Sequence, residues 1–226
     1  MAKEALFRSS IGRKFAMALS ALFLLIFLLQ HFVINSLSVI SPSAFNEASY
    51  FMGYNPIIQF VMQPILAFAV FFHFIMGFIL EIQNKKARPV KYAVNNPSEN
   101  SSWMSRNMIW SGAVILGFLA LHFADFWLPE LNHKYVEFGS DDASRFYPEL
   151  LERFKDPVRV GLYVFAFFLL MMHLLHGFQS AFQSIGANHR RYTPFIKAFG
   201  KVFAIVIPIG FMLIAIINYL KANEII

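Results

Sequence analysis

The chain contains no cysteine. That absence excludes disulfides, thiolate-held iron–sulfur clusters, cysteine-based zinc sites and the CxxCH attachment of c-type haem. Any metal centre has to draw on histidine, methionine or carboxylate. Charge is also scarce, with 14% of the 226 residues charged against 58% hydrophobic and 17% aromatic. So little polar surface cannot cover a water-soluble core of this size, and lipid is the expected solvent. The formal net charge of +6 does not point to nucleic acid, because the basic residues fall in short groups between apolar runs rather than along one polar face.

A helix needs about 20 mostly apolar residues to cross the hydrocarbon core. Five stretches meet that length: Phe15–Ser36, Ile57–Ile82, Met108–Leu128, Val158–Phe182 and Phe199–Leu220. They are continuous rather than alternating, which excludes a β-barrel and predicts an all-α bundle of five transmembrane helices forming a single domain over residues 1–226. The N-terminal run resembles a signal peptide, but it is long and ends without a small-x-small cleavage site, so a retained first span is expected. The connections Leu37–Pro56 and Pro129–Pro157 each have room for a short interfacial helix. No internal repeat is evident along the chain.

The distribution of Lys and Arg predicts the orientation. Thirteen fall on one side: Lys3, Arg8, Arg13 and Lys14, then Lys85, Lys86, Arg88, Lys91 and Arg106, then Arg190, Arg191, Lys197 and Lys201. Six fall on the other, five of them among seven acids between Pro129 and Arg159. The N-terminus is therefore expected in the cytoplasm and the C-terminus outside.

Five of the seven histidines lie inside predicted spans: His31, His73, His122, His173 and His176. An ionisable side chain in hydrocarbon costs a few kcal/mol unless it faces the bundle interior and finds a partner. Four helices each supplying a histidine call for a common cause. His31 lies 17 residues after Lys14 and His122 lies 16 after Arg106. At about 1.5 Å per residue both are about 25 Å from the cytoplasmic charges. His73 precedes Lys85 by 12 residues, about 18 Å, and His173 precedes Arg190 by 17 but lies only 9 before Phe182, where the fourth span ends, so these two share the inner half. Two histidines at one depth can hold one haem iron from both faces, so the spacing predicts an outer haem between His31 and His122 and an inner haem between His73 and His173. Each inner ligand has a glycine one turn on, Gly77 and Gly177, making room beside the backbone. His176, one turn from His173, is the alternative ligand or a hydrogen-bonding or propionate-contacting neighbour. Met62, Met76, Met171 and Met172 read as packing.

These features resemble the five-helix, di-haem cytochrome b membrane subunits of succinate:quinone oxidoreductases, the family of succinate dehydrogenases and quinol:fumarate reductases. The resemblance covers most of the chain. It is carried by Ser9–Lys14 ahead of the first span, His31–Asn35 at its end, Phe45 and Asn46 before the second, and above all His173–Gly186. In that family the axial histidine stands four residues before one glycine and thirteen before the next, which selects His173 over His176. The resemblance implies two haem b groups and a multi-pass anchor in the bacterial inner membrane. It further implies a cytoplasmic iron–sulfur subunit and a flavoprotein subunit with FAD, and electron delivery through the inner and outer haems to a quinone, menaquinone in most bacterial members. The chain would then be a non-dehydrogenating subunit of a respiratory-chain and tricarboxylic acid cycle enzyme.

One position departs from the family pattern. Some fumarate reductases of this type have a glutamate two residues before the fourth-helix ligand for proton transfer, and Met171 stands there, which favours succinate oxidation. Glu47, near a family position associated with quinol oxidation, and Asp125, three residues after His122, are candidate proton donors to quinone. Arg159, opening the fourth span, is a candidate partner for an outer-haem propionate. A cytochrome b anchor of a hydrogenase or formate dehydrogenase is the alternative that keeps the haems. A haem-free transporter is the alternative from another class.

Overall fold

The computed structural model describes residues 9–86 and 106–226. Lys3, Arg8, Arg88 and Lys91 of the charge count lie outside the described residues. The elements are helices α1 (Ser10–Ile40), α2 (Pro42–Tyr54), α3 (Ile58–Lys86), α4 (Met108–Tyr135), α5 (Phe146–Phe154), α6 (Pro157–Ser184) and α7 (Thr193–Ala222). Five of these, α1, α3, α4, α6 and α7, are long and apolar enough to cross a membrane, and there is no strand among the described residues. The short helices α2 and α5 occupy the two connections expected to hold them.

Every span runs past its predicted limit at one end or both. Ser9 caps α1 by accepting the Gly12 N–H at 2.9 Å, so the helix starts ahead of its basic pair. Asp156 caps α6 in the same way, accepting from Val158 at 2.9 Å with Pro157 in the first turn. Helix α4 runs seven residues past its expected end at Leu128. Pro129 has no N–H and would crowd the Asp125 carbonyl in a regular α-helix, but a π turn over Phe123–Trp127 precedes it and lets the helix continue to Tyr135. Pro64 follows a π turn over Ile58–Met62 at the same spacing.

Helices α1, α3, α4 and α6 form a square in which α1 packs on α3, α3 on α4, α4 on α6 and α6 on α1. Helix α7 lies outside the square in the groove between α1 and α6. Its packing is aromatic: Phe211 stacks on Phe167 at 5.2 Å, and Phe178 meets Phe203 at 5.6 Å. Asn218 is fully buried and donates to Ser38 Oγ of α1 at 2.9 Å, a bond across helices that in lipid contributes on the order of 1 kcal/mol. Away from these seams the spans expose large apolar side chains such as Ile26, Phe68, Phe165 and Ile209, as lipid-facing surfaces do.

The two short helices tie together at one end of the square. Phe45 is buried, and Asn46 receives the Tyr147 N–H at 2.7 Å and donates to the Ser144 carbonyl at 3.1 Å. Glu130, at the end of α4, pairs with Lys134 at 2.7 Å and with Arg145, while Lys134 lies over the Tyr54 ring at 4.1 Å. These contacts close that end over the interior.

Candidate functional site

The diagonals of the square, α1 to α4 and α3 to α6, are not among its close helix contacts. Histidines reach across both. The His31 and His122 rings have centroids 5.7 Å apart, and the His73 and His173 rings 6.5 Å apart. His173, not His176, is the ring that faces His73, while His176 is half-buried one turn on.

The helices report the vertical separation of the pairs. On α1, Ser20 touches His73, and His31 lies eleven residues further along; on α4, Ser111 touches His173, and His122 lies eleven further. On α6, Tyr163 touches His122 and precedes His173 by ten. At 1.5 Å per residue, all three give two tiers about 16 Å apart.

Each contact just named falls on Nδ1 of an imidazole. Ser20 Oγ is 3.2 Å from His73 Nδ1, Ser111 Oγ is 3.1 Å from His173 Nδ1, and Tyr163 Oη is 3.5 Å from His122 Nδ1. The hydroxyl hydrogens are already committed elsewhere. Ser20 donates to the Met17 carbonyl at 2.7 Å, Ser111 to the Met108 carbonyl at 3.0 Å, and Tyr163 to Asp125 Oδ2 at 2.8 Å. An imidazole that gives Nε2 to a metal carries its proton on Nδ1, and a hydroxyl whose hydrogen points at the carbonyl or carboxylate is placed to accept it.

The inner contacts also reveal a repeat that the sequence reading did not find. Met17, Ser20 and His31 on α1 recur at identical spacing as Met108, Ser111 and His122 on α4, and His73 with Gly77 on α3 recurs as His173 with Gly177 on α6. A Cβ on Gly77 would lie 3.6 Å from the Met17 methyl, and one on Gly177 would lie 3.8 Å from that of Met108. The short helices α2 and α5 follow α1 and α4 in turn. The reading of the chain as free of repeats did not register this recurrence, in which α1 and α3 match α4 and α6 at these five positions.

Asp125 is buried at 4% exposure in the π turn of α4. One oxygen accepts from Tyr163, and the other faces Arg159 Nε of α6 at 3.4 Å. Asp125, Arg159, Tyr163 and His122 thus form one chain, in which Tyr163 is the member that sequence reasoning missed. Glu47 is exposed on α2, outside this chain of contacts. Rings of Phe27 and Phe211 flank His31 at 5.4 and 5.7 Å, and Phe118 and Phe126 flank His122 at 5.8 and 5.3 Å, so the outer tier is lined by apolar aromatic surface.

The donor set suits a flat metal macrocycle. A metal–imidazole bond of about 2 Å on each side, with about 1 Å from nitrogen to ring centre, needs ring centroids about 6 Å apart. Both pairs are close to that separation, and each tier offers two imidazoles, with no cluster of three or more His, Asp or Glu ligands among the described residues. Such a pair would hold a metal that brings its other ligands with it, as a haem does. No family model, curated protein or solved structure matches this chain.

Proposed function

We propose that this chain is the di-haem cytochrome b anchor of a succinate dehydrogenase, set in a bacterial inner membrane with its N-terminus in the cytoplasm. The observation that carries the reading is the pair of histidine couples, each at iron-bridging separation, in two tiers on diagonal helices. His31 and His122 hold the outer haem b and His73 and His173 the inner. When bound, these groups supply one-electron carriage between an iron–sulfur subunit on the cytoplasmic face and a quinone, menaquinone in the reading offered here.

The chain's own residues supply the setting. Ser20, Ser111 and Tyr163 orient three of the four imidazoles, and the aromatic rings around His31 and His122 exclude water from the outer tier. Asp125 and Arg159 brace Tyr163, while Glu47 is the exposed carboxylate on the outer connection that we assign to proton supply for quinone. At the opposite end, Lys85 and Lys86 close α3, while Arg13, Lys14, Lys197 and Lys201 lie in the first three turns of α1 and α7. They form a basic surface for the iron–sulfur subunit and the FAD-bearing flavoprotein subunit.

Purification of the tagged chain from its native membranes tests this. A dithionite-reduced minus oxidised spectrum with a b-type α-band, reduction of that band by succinate, and a co-purifying flavoprotein are expected. A haem-free product, or haem without a flavoprotein, would contradict it.

A further inference from the structure

We propose that Ser20 and Ser111 are matched positioning residues that set the redox poise of the inner haem by accepting a hydrogen bond from Nδ1–H of each axial imidazole. This rests on the di-haem reading above. Three observations carry it. Both serines contact Nδ1 of an inner histidine from the adjacent helix, at 3.2 and 3.1 Å. Both have the carbonyl three residues earlier, Met17 or Met108, in reach of their own hydrogen, which frees the oxygen to accept from the imidazole. Both occupy the same position of the structural repeat, eleven residues before an outer histidine.

A serine in an apolar span has an ordinary explanation, since it bonds its own backbone and needs no other partner. Chance placement of that kind would not put two serines in register on separate helices, each against Nδ1 of the facing histidine. The electronic consequence follows from the direction of the bond. Donation from Nδ1–H moves electron density toward Nε2 and onto the iron, which favours the ferric form and lowers the potential. Two such bonds on one iron add. The outer iron has a different surrounding, since His122 meets a tyrosine backed by a carboxylate instead of a serine. The inner and outer potentials are thus adjusted by separate residues.

The test uses the whole complex with Ser20→Ala, Ser111→Ala, the double alanine variant and Ser111→Thr. Haem is counted as the pyridine haemochrome, and the two midpoints are resolved by optical redox titration with electron paramagnetic resonance of the ferric forms. The alanine variants are expected to keep two haems. The inner haem's ferrous-to-ferric ratio at fixed ambient potential should rise about tenfold in the double variant, about 59 mV for one electron. The outer haem stays unmoved, and threonine, which keeps the hydroxyl, restores the native value. Loss of the inner haem from either single alanine variant would make the serine a holding residue and would overturn the poise-setting role. Two retained haems with unmoved midpoints, or a shift confined to the outer haem, would overturn it. Absence of haem from the unmutated complex would sink the di-haem reading instead, so the two failures are distinguishable.

Discussion

Tyr163 donates its hydroxyl to Asp125 across 2.8 Å while its oxygen lies 3.5 Å from His122 Nδ1. One phenol therefore joins a buried carboxylate on α4 to an imidazole on the same helix from a position on α6. The bond to Asp125 is what turns the phenol oxygen toward the histidine as an acceptor.

Replacing Tyr163 with phenylalanine keeps the ring that packs against Phe118 and Phe154 and removes only the oxygen. The expected result is a raised midpoint for the outer haem, an unchanged inner haem, and a stability loss of about 1–3 kcal/mol because Asp125 loses a buried donor. Redox titration and thermal unfolding in detergent read the two effects. A shift of the inner haem would show that the chain of contacts is misassigned.

Arg159 and Asp125 should couple. With Asp125 at 4% exposure and Arg159 partly exposed, Arg159→Gln leaves a buried carboxylate with one remaining partner. The expected loss is on the order of 2–3 kcal/mol, below that of a fully enclosed pair because water still reaches the guanidinium. Adding Asp125→Asn to Arg159→Gln should recover most of it. A double-mutant cycle with purely additive losses would deny the pairing.

His173 and His176 separate cleanly in function if the ring facing His73 is the ligand. Alanine at His173 is expected to remove the inner haem and leave the outer. At His176 both haems should remain. Pyridine haemochrome analysis of the two variants decides, and the reverse pattern would move the ligand one turn along α6.

Gly200 lets α7 approach α6 closely. A Cβ there would lie 2.5 Å from Phe178 Cδ1, inside contact distance for any carbon, and the ring is held among Phe182, Phe199 and Phe203. Gly200→Ala is expected to cost about 1–3 kcal/mol by overpacking. Thermal unfolding measures this, and an unchanged midpoint would mean the seam yields freely.

The spans and the two histidine tiers were legible in the sequence because the physics behind them is local and additive. Hydrocarbon demands an unbroken apolar run, and a fixed rise per residue converts the distance from a marker charge into depth. The helix ends were less legible, since α4 runs on through Pro129 only because a π turn makes room for it. Serine in an apolar run reads as neutral filler, so Ser20 and Ser111 acquired meaning only when their partners 53 and 62 residues away were seen. The same holds for Tyr163, one aromatic among many until α6 packs on α4. Phe45 and Asn46, noted first for resemblance alone, prove to clip α2 to the turn before α5.

In the proposed arrangement His31 and His122 share one iron while His73 and His173 share another. Haem content of the four single alanine variants, each purified as the whole complex and titrated for its remaining midpoint, tests it most directly. Two haems are expected in the unmutated complex and one in each variant, with His31→Ala and His122→Ala retaining the same inner haem and His73→Ala and His173→Ala the same outer haem. Retention of different haems by the two members of a pair, or two haems in any variant, would contradict it.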